Sequence, residues 1–531
     1  MCIERVIVKN YRTLASVDLP LRPHLNVIVG NNESGKSTLL EAINLALKCQ
    51  LNRRSAAAEL HPYLFNTGCV KEFVTKLRGG VHVEPPRILV ELYLKDCPEF
   101  AAYKGTNNSL SEDTPGISLA IELDYEAFGE EYRDYIADPK RVTGVPVEYY
   151  KIDWRDFAGN PLRAWKAPVE SALIDPSSIS NTYAANKYVL EIAQDFLTKK
   201  QKVELALSYR QLRDEFLDDA TVKSINTELE KRKGTITEKT FSISLDMTAR
   251  AGWETGVLPH LDDIPLTLIG KGEQNALKIK LAIAAKEPCI LFLLEEPENH
   301  LSHPNLNRLI AYIASAAQGK QLIIATHSSF VLNKLGVENI QMFNGKKAVT
   351  LSELPPSTEA YFKKLPGHDT LRMILAKRTI LVEGPSDELI VQRAFLQTHG
   401  KMPLEAGVEV ISVNALAFKR FLDIASRLEI DTRVVTDNDG DTGKIEAKYA
   451  EYKTTANISV FYSTDENLTT LENHIVKLNS RTQLNELFGK AYAADHELLS
   501  FMLNNKTDCA LKILESPESI VMPEYIQNAV K

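Results

Sequence analysis

The chain contains 531 residues, of which 44% are hydrophobic and 25% are charged. This is the composition of an ordinary globular protein, and it excludes a disordered or fibrous architecture. The 62 Lys and Arg residues against 70 Asp and Glu residues give a net charge of -8, which excludes a polybasic protein that binds nucleic acid through its overall charge. At roughly 150 residues per domain, the length predicts three or four domains, or fewer domains with large insertions.

Cysteine usage and hydropathy predict a cytoplasmic protein with no membrane partner. The six cysteines form no CxxC pair and no regular spacing, so neither a zinc site nor a disulfide framework is expected. The longest strongly apolar run, Cys289 to Leu294, is far shorter than the roughly 20 residues that span a bilayer. The N-terminal residues do not have the pattern of a signal peptide.

A nucleotide-binding loop is predicted close to the N-terminus. The apolar run Leu25–Val29 predicts a strand, and the helical spacing of Leu39–Leu47 predicts a helix after it. Between them, Gly30–Ser37 matches the pattern GxxxxGK(S/T) in the strand-loop-helix context that this motif requires. Chance produces the bare pattern in about 2% of chains of this length, so the context favours a phosphate-binding loop over a plain glycine turn.

Each part of this loop has an expected role. Its backbone N–H groups and the helix N-terminus would hold the phosphates of ATP, Lys36 would reach the β and γ phosphates, and the Ser37 hydroxyl would ligate Mg²⁺. The residues predicted to contact the nucleotide here are Gly30, Asn31, Asn32, Glu33, Ser34, Gly35, Lys36, Ser37 and Thr38.

The middle of the chain carries the weakest signals. Arg87–Lys95 and Ile117–Tyr125 have strand patterns, and residues 107–116 are rich in loop-forming side chains. Asn186–Lys233 has apolar residues at helical intervals among many charges, which predicts a helical pair or arm.

Strand and helix patterns return from Ile264 to Met342. An apolar run ends in two acidic residues, of which Glu295 would hold Mg²⁺ through water and Glu296 would orient and deprotonate the attacking water. Two carboxylates at a strand end are more often a solvated helix cap, but their position after a phosphate-binding loop favours an ATPase. They would form the catalytic half of the nucleotide site.

Two further segments fit the same nucleotide site. Gly270–Gln274 precedes a helix predicted to begin near Asn275, and it would present Gly272 and Gln274 to a phosphate. His327 follows a buried strand pattern and could contact the γ phosphate. Each segment alone is usually a turn or a capping residue, and their order along the chain favours an ATPase.

A second cluster of acidic residues follows a domain boundary that we place near Ala376. One acidic residue ends an apolar strand, the next lies one helical turn later, and three alternate after a second strand, where an extended segment would project them together. The candidates are Glu383, Asp387, the alternating Asp437, Asp439 and Asp441, and Glu472 further along the chain.

Such a cluster has a specific chemical meaning. Carboxylates that meet at strand ends repel each other unless divalent cations neutralise them, and an all-oxygen set suits Mg²⁺ or Mn²⁺ rather than zinc. Two such ions about 4 Å apart would support hydrolysis of a phosphodiester bond. For the aspartates alone, an acidic turn or a calcium loop is the more frequent alternative.

The order of the first set of motifs resembles the ABC-type ATPases of the RecF, SMC and OLD (overcoming lysogenization defect) proteins. The segments that carry the resemblance are Ile3–Leu47, Gly270–Gln274, Glu295–Leu301 and Thr326–Ser328. The resemblance implies that two ATPase heads pair and that the signature of one completes the nucleotide site of the other. It therefore implies a homo-oligomer, either a dimer or a dimer of dimers. Gly270 stands where this signature usually has Ser.

The acidic segments resemble a TOPRIM domain, the metal-binding α/β module of topoisomerases, primases and OLD nucleases. An ATPase followed by TOPRIM is the layout of the OLD nuclease family, which is similar to Gabija-type and retron-associated phage-defence effectors. The resemblance implies that metal ions bind Glu383, Asp387, Asp437, Asp439 and Glu472. It also implies that Lys506 stabilises phosphate charge, and that Glu383, Asp437 and Asp439 are catalytic.

The expected fold class is α/β, with an ABC-type (RecF/SMC-like) P-loop ATPase, a helical insertion in it, and a TOPRIM domain after it. The predicted segments are 1–165 for the N-terminal part of the ATPase, 166–260 for the insertion and dimerisation arm, 261–375 for the C-terminal part of the ATPase, and 376–531 for TOPRIM with a helical tail.

The predicted function is an ATP-binding and ATP-hydrolysing, divalent-metal-dependent DNA endonuclease that acts in bacterial defence against phage. Its expected partners are DNA, further copies of the chain, and a protein, RNA or DNA of the same defence system. The alternative is a RecF/SMC-like DNA clamp in repair that is switched by ATP and has no nuclease activity. A topoisomerase or primase would need a strand-passage tyrosine domain or a zinc module, and neither is visible in the sequence.

Overall fold

The computed structural model of the chain describes residues 3–30, 34–52, 54–163, 169–175, 190, 197–232, 239, 241–244, 257–285, 291–316, 318–328, 331, 335, 339–343, 348–350, 353–364, 372–374, 376–413 and 417–531. The chain divides into two compact units. Unit A comprises residues 1–2 and 168–324, and unit B comprises residues 3–167 and 325–531.

Among the described residues, the first part of unit B contains nine strands and three α-helices. The strands are β1 (Ile3–Tyr11), β2 (Leu14–Pro20), β3 (Leu25–Val29), β4 (Gln50–Leu51), β5 (Arg54–Ser55), β6 (Ile88–Leu94), β7 (Lys104–Gly105), β8 (Thr114–Leu123) and β9 (Tyr150–Asp156). The helices are α1 (Lys36–Lys48), α2 (Thr67–Arg78) and α3 (Tyr125–Ile136).

Residues 168–326 contain five strands and four helices among the described residues. The strands are β10 (Ser171–Ile174), β11 (His260–Leu261), β12 (Ile264–Pro265), β13 (Leu291–Glu295) and β14 (Gln321–Thr326). The helices are α4 (Lys199–Asp218), α5 (Ala220–Glu230), α6 (Lys271–Ala285) and α7 (His303–Ala316).

The remainder of unit B is mostly helical around a third set of strands. The strands are β15 (Ile340–Phe343), β16 (Ala348–Thr350), β17 (Arg378–Val382), β18 (Val408–Ser412), β19 (Asp431–Val435) and β20 (Ile458–Phe461). The helices are α8 (Pro356–Lys364), α9 (Pro385–His399), α10 (Phe418–Leu428), α11 (Thr442–Lys448), α12 (Leu471–Leu478), α13 (Arg481–Phe488), α14 (Asp495–Asn504), α15 (Lys506–Glu515) and α16 (Glu524–Val530).

An antiparallel sheet supports the helix that follows the phosphate-binding loop. Its strand order is β2-β1-β6-β8-β7, and β9 also pairs with β8. Helix α1 packs against β1, β6 and β8 through apolar side chains spaced three and four residues apart, which include Leu39, Ile43 and Leu47. The indole N–H of Trp154 on β9 donates to the carbonyl of Ala46 at 2.7 Å. These contacts fix the orientation of α1.

The strand before the loop is buried on both faces. All five residues of β3 are buried, as is usual for a parallel strand covered on both sides. Strand β15 runs parallel to it, with Ile340 opposite Val27 and Met342 opposite Val29, and β16 pairs antiparallel with β15. The end of β3 is therefore held by neighbours distant in sequence.

Unit A contains the strand that ends in the two glutamates. Strand β13 lies between β10 and β14, and it runs parallel to β10 with Ser171 opposite Leu291. Helices α6 and α7 pack together, and the Tyr312 hydroxyl donates to the Lys280 carbonyl at 3.2 Å. Strand β10 lies inside the range predicted for the helical insertion, and α4 and α5 are the described helices in that range.

The last 150 or so residues form a parallel sheet with helices around it. The strand order is β18-β17-β19-β20 and every pair is parallel. The chain passes from β17 to β18 on one side and then returns to β19 on the other, so the order reverses at β17. In open parallel sheets, ligands bind outside the carboxyl ends of the strands at such a reversal. The candidate acidic residues follow β17 and β19, the two strands that flank this point.

Among the helices of the described residues, none is both long enough and apolar enough to cross a bilayer.

Candidate functional site

The loop before α1 has a backbone that only glycine permits at two positions. Gly35 has φ of +87°, and a Cβ there would lie 2.6 Å from the side chain of Leu14. A Cβ on Gly30 would lie 2.1 Å from the carbonyl oxygen of Phe343. The buried Lys36 ammonium donates to the Gly30 carbonyl at 2.8 Å. The loop is thus closed upon itself by its own lysine.

The hydroxyl groups of this loop differ in environment. The Ser34 hydroxyl is buried and has no hydrogen-bond partner among the described residues, so it is a donor available to a phosphate oxygen. Ser37 is exposed at the start of α1, and Thr38 is half-buried with its hydroxyl 3.3 Å from that of Thr13. The predicted contacts Asn31, Asn32 and Glu33 lie outside the described residues.

The two glutamates at the end of β13 are half-buried in unit A, where the preceding strand residues are fully buried. Glu296 has φ of 41°, in the left-handed region that is uncommon for a side chain of this size. Its carboxylate accepts a hydrogen bond from the Asn299 side chain at 2.9 Å. This hydrogen bond and the turn fix the direction of Glu296 relative to Glu295.

The glycine-rich signature packs against the turn that follows β13. Helix α6 begins at Lys271, earlier than the predicted start near Asn275. A Cβ on Gly272 would lie 2.2 Å from the carbonyl oxygen of His300, so only glycine allows this close approach. Gln274 donates from its side chain to the carbonyl of Ile269 at 2.8 Å.

The predicted histidine lies at the end of a strand, as expected. His327 directly follows β14 and is exposed. The next residue, Ser328, donates its backbone N–H to the Thr326 hydroxyl at 2.9 Å, which forms a tight turn after the strand. The roles predicted for Gly272, Gln274, Glu295, Glu296 and His327 at a nucleotide remain predictions.

Four of the candidate acidic side chains are brought together at the carboxyl edge of the parallel sheet. Glu383 accepts hydrogen bonds from the Thr436 hydroxyl and from the backbone N–H of Asp437 at 3.1 Å. Asp387 lies in the first turn of α9 and accepts from the Gly384 N–H at 2.9 Å. The residues after β17 and β19 are therefore linked directly.

Electrostatics show how closely these carboxyl groups approach. Burial, and then the negative charges of Asp387, Glu383 and Glu472, together raise the pKa of Asp437 to about 8. Burial is also the main reason that the pKa of Asp387 is raised to about 6, and the charges of Glu383 and Glu472 contribute to this rise. Carboxyl groups that oppose each other's ionisation in this way lie in one shared field.

Glu472 and Lys506 complete this group. Glu472 on α12 is only 5% exposed. The ammonium of Lys506, at the start of α15, lies 3.3 Å from Oε2 of Glu472, but that oxygen has no aligned hydrogen bond. Lys506 also lowers the pKa values of Asp387 and Asp437, opposing the effects of burial and of the neighbouring acids. The sequence therefore identified a lysine that is part of the cluster.

The predicted alternation of three aspartates is wrong. Asp439 is exposed and has φ of 48°, so the chain turns there instead of remaining extended. Asp441 caps α11 through the N–H of Lys444 at 3.1 Å and forms an ion pair with its side chain. The metal-binding and catalytic role predicted for Asp439 remains a prediction.

Two side chains that the sequence reasoning missed hold the loop after β19. The Thr436 hydroxyl orients Glu383. The buried Asn438 side chain donates to the carbonyl groups of Ser463 and Asp465 at 3.0 and 2.8 Å. An Asn-Asp-Gly sequence is a turn signal, which could have identified Asn438 as a structural residue and not a ligand.

The donor set fits a hard divalent cation. All four carboxylates supply oxygen, their mutual repulsion would be relieved by positive charge, and one buried oxygen lacks an aligned partner. In the part of the chain that is described, no group of three or more acidic, His or Cys side chains is arranged to hold a metal ion as it stands.

Family comparisons match separate parts of the chain. Residues 374–439 match the family "Overcoming lysogenization defect protein-like, TOPRIM domain", and residues 1–136 match the family "AAA ATPase domain". A further AAA domain family matches residues 148–333. The predicted succession of an ATPase part and a TOPRIM domain in an α/β chain is confirmed.

Individual proteins with similar sequences cover most of the chain. Endonuclease GajA of Bacillus cereus (strain VD045) is 21% identical over 458 residues, which is 83% of this chain and 75% of that protein. The OLD nuclease of Thermus scotoductus is 24% identical over 475 residues, 82% of each chain. Among solved structures, an SMC head bound to the C-terminal winged helix domain of ScpA matches 66% of this chain and 98% of its own, with 15% identity and a TM-score of 0.36.

Proposed function

We propose that this chain, which shares the ATPase–TOPRIM layout of the OLD nuclease family, is an ATP-dependent and divalent-metal-dependent endonuclease of DNA. The observation that carries the proposal is the group of four carboxylates at the carboxyl edge of the parallel sheet. Buried acidic groups that raise each other's pKa are costly, and they are typical of sites that bind cations or transfer protons.

Each residue of this group has a proposed task. Glu383, Asp387, Asp437 and Glu472 would hold Mg²⁺ or Mn²⁺ through their oxygens. A bound divalent cation supplies positive charge that polarises a phosphodiester group. Lys506 would place its ammonium beside the negative charge that develops on the phosphate during hydrolysis.

The protein also holds the two acidic strand ends in a fixed relation. Thr436 and the backbone of Asp437 both donate to Glu383, so the carboxylate after β17 cannot rotate independently of the loop after β19. Positioning of this kind keeps reacting groups aligned without loss of side-chain freedom at the moment of reaction. We propose that Thr436 is a positioning residue for the metal-binding group.

The ATPase part would regulate or support cleavage. Lys36, the unpaired Ser34 hydroxyl and Ser37 would bind the phosphates and the cation of ATP. Glu295 would hold that cation, and Glu296, directed by Asn299, would orient the attacking water. The signature residues and His327 would contact the terminal phosphate, as the sequence predicts.

The alternative function, a RecF/SMC-like DNA clamp that is switched by ATP and has no nuclease activity, has less support. The described helices in the predicted arm, α4 and α5, contain 20 and 11 residues, which is short for an SMC-like tether. The resemblance to phage-defence effectors supports a role in defence, and we propose that role for the chain. Its test is whether cells carrying the gene survive phage infection, and whether survival requires Asp437.

We also propose that α4 joins two copies of the chain. Its residues Leu205, Tyr209, Leu212 and Phe216 are spaced by four, three and four positions, the spacing of a coiled-coil seam. The exposed fractions of Leu205, Leu212 and Phe216 are 40%, 62% and 46%, respectively. An apolar stripe of this length on a charged helix is a candidate interface between protomers.

A pair of variants tests the proposed function. With Mg²⁺ or Mn²⁺ and ATP, the purified protein is expected to nick or cut supercoiled plasmid. Asp437→Ala is expected to abolish cleavage but leave binding of a fluorescent ATP analogue unchanged. Lys36→Ala is expected to abolish that binding. A plasmid that stays supercoiled with either metal, across a range of ATP concentrations, would count against the nuclease.

A further inference from the structure

The helices that carry Glu472 and Lys506 meet beside the first turn of α9. Helix α15 packs against α9, and α12 packs against α14. These four helices enclose a small cavity that is lined mostly by apolar side chains, together with the polar side chains of Ser386, Glu472 and Lys506. Ser386 directly precedes Asp387. The ion pair between Glu472 and Lys506 therefore lies next to the turn that carries another of the proposed metal ligands.

The carboxylate of this ion pair is buried and incompletely satisfied. The Lys506 ammonium lies 3.3 Å from Oε2 of Glu472, yet this oxygen has no aligned hydrogen bond. A buried charge is costly unless it is both paired and hydrogen-bonded. Within the described residues, no other basic side chain forms an ion pair with Glu472. The carboxylate thus has a counter-charge but remains available to a ligand with better geometry.

The lysine of this ion pair occupies a position that is unfavourable for a cation. Lys506 is the first residue of α15, and the unpaired N–H groups at the start of a helix carry partial positive charge. The Glu472 carboxylate compensates for this repulsion. Because 43% of the Lys506 side chain is exposed, its flexible stem can carry the ammonium away from the cavity towards solvent.

A divalent cation at Glu472 would compete with this lysine. The cation would place two positive charges at the carboxylate that now faces Lys506, and like charges repel strongly at such short distances in a partly buried site. It would also neutralise the negative charge that compensates for the position of Lys506 at the helix N-terminus. The ion pair and a metal contact at Glu472 therefore oppose each other.

We propose that Lys506 is an internal counter-ion of Glu472, that a divalent cation displaces it, and that the displaced ammonium then becomes available to a phosphate of DNA. This inference rests on the proposed function, because it takes Glu472 as a metal ligand and a phosphodiester as the substrate. In the metal-free protein the ion pair offsets the cost of a buried carboxylate. Metal binding breaks the pair, so the site gains its donor for phosphate only after the cation has arrived.

Lys506→Met removes the ammonium and keeps a long side chain beside the cavity. The matched control is Lys477→Met, because Lys477 lies on α12, the helix of Glu472, and its ammonium pairs with Asp465 at 3.1 Å. Asp465 is not one of the proposed metal ligands. The control therefore removes one positive charge and one ion pair from the same helix without affecting the proposed exchange.

The affinity for Mn²⁺ is measured by calorimetry without DNA or nucleotide. Loss of the competing ion pair predicts about 3-fold to 30-fold tighter Mn²⁺ binding by Lys506→Met, and Lys477→Met is expected to match the wild type. In the Glu472→Gln background, which cannot form the ion pair, Lys506→Met is expected to change the Mn²⁺ affinity no more than Lys477→Met does. This comparison separates the ion pair from a general loss of positive charge.

Binding of DNA is expected to change in the opposite direction. Binding of a fluorescein-labelled duplex in Ca²⁺ is measured by fluorescence anisotropy. Loss of a charged donor to phosphate predicts about 10-fold weaker binding of this duplex by Lys506→Met. Lys477→Met is expected to bind the duplex as the wild type does. A variant that binds the metal more tightly and DNA more weakly is the result that the exchange requires.

A measurement on the wild type follows the lysine directly and needs no variant. Acetylation by a water-soluble succinimidyl ester, quantified by mass spectrometry, reports on how accessible each amine is. The acetylation rate of Lys506 is expected to be higher in Mn²⁺ than in EDTA, because the ammonium leaves the carboxylate. The rate at Lys477 is expected to be the same in both conditions. Equal rates at Lys506 in Mn²⁺ and EDTA would overturn the inference.

Three further outcomes would also overturn it. They are an unchanged or weaker Mn²⁺ affinity in Lys506→Met, an equal gain in the Glu472→Gln background, and an unchanged DNA affinity. Plasmid cleavage by the wild type, abolished in Asp437→Ala, reports on the proposed function separately. If the metal, DNA and acetylation results are as expected but the wild type leaves the plasmid supercoiled, the nuclease is contradicted and the exchange of Lys506 for a cation stands.

Discussion

Asp437 is the residue whose ionisation most opposes folding in the proposed metal site. Its pKa of about 8 exceeds the ordinary aspartate value of 3.8, so the folded state retains a proton that the unfolded state releases between these two pH values. The contribution of this group to the free energy of unfolding is therefore fully present below about pH 4, and it is lost as the pH rises towards 8. Asp387, with a pKa of about 6, acts in the same direction over a narrower window.

Replacing Asp437 by Asn should therefore stabilise the metal-free protein at high pH. In EDTA, the thermal midpoint of Asp437→Asn is expected to exceed that of the wild type by roughly 2–4 °C at pH 8, and the gain is expected to shrink towards pH 5. Differential scanning fluorimetry at several pH values measures this difference.

Asp441→Asn is the control for that experiment, because Lys444 lowers the pKa of this aspartate in the same loop. It should give no gain at any pH. If Asp437→Asn raised the thermal midpoint equally at pH 5 and pH 8, this would show that the folded protein does not raise the pKa of the Asp437 carboxyl group.

Two glycines of the signature differ in what a side chain would meet. A Cβ on Gly272 would lie 2.2 Å from a backbone oxygen of His300, whereas a Cβ on Gly270 would meet nothing within 4 Å. Gly272→Ala is therefore expected to cost about 1–3 kcal/mol, as overpacking does, and to reduce ATP hydrolysis. Gly270→Ala should match the wild type in thermal midpoint and ATPase rate. Equal behaviour of the two variants would contradict the close approach.

Residues of the candidate site could be predicted from the sequence where the end of a strand determines their position. Glu383 and Asp437 could be predicted together because the carboxyl ends of adjacent parallel strands meet at one edge. Asp439 could not be placed correctly, because the prediction assumed an extended segment and the chain turns at Asp439 and Gly440, both with positive φ. The ring contact between His474 on α12 and Tyr525 on α16 joins two different helices, and no local pattern reports it.

The interface that we propose on helix α4 can be tested by introducing charged side chains. The double substitution Leu212→Glu and Phe216→Glu places two charges in the apolar stripe and is expected to reduce the molecular mass in solution, as measured by light scattering. Val203→Glu is the matched control, because Val203 is 59% exposed and lies about half a turn away from the stripe. A double variant with the mass of the wild type would exclude α4 from the interface.

Helices and strands with a long sequence pattern could be predicted. Short elements, and elements that depend on contacts between distant segments, could not. The strand, loop and helix at the N-terminus are found as β3, the loop and α1, because burial and helical spacing act locally. Helix α6 starts earlier than predicted, since the N–H groups of Glu273 and Gln274 already bond to the Gly270 carbonyl. Strand β10 contains four residues, and its pairing with β13 depends on a contact more than 100 residues away.

Metal binding is expected to stabilise the molecule as a whole. A ligand that binds only the folded state raises the free energy of unfolding. The increase depends on the ratio of ligand concentration to dissociation constant and is about 2.7 kcal/mol when that ratio is 100. Mn²⁺ should therefore raise the thermal midpoint of the wild type, and Glu472→Gln should lose most of this increase. Asp441→Asn should retain it. An equal increase in Glu472→Gln would remove Glu472 from the ligand set.

The connection between the domains of unit B was not predictable from local sequence. Helix α8 lies in the segment predicted for the ATPase, yet the Thr358 hydroxyl donates to Asp423 on α10 at 2.6 Å. The Arg420 guanidinium, also on α10, lies 4.2 Å from the centre of the Tyr361 ring. The boundary near Ala376, predicted from the strand pattern that follows it, marks where new strands begin, whereas the packing between helices depends on the folded chain.

The lysine that closes the phosphate-binding loop has a thermodynamic consequence for nucleotide recognition. An ammonium group has three N–H donors, so Lys36 can keep its hydrogen bond to the Gly30 carbonyl and still donate to a phosphate. The existing bond holds the lysine side chain in one orientation before a nucleotide arrives. Binding would therefore add a charge-assisted hydrogen bond with little further loss of side-chain entropy at Lys36.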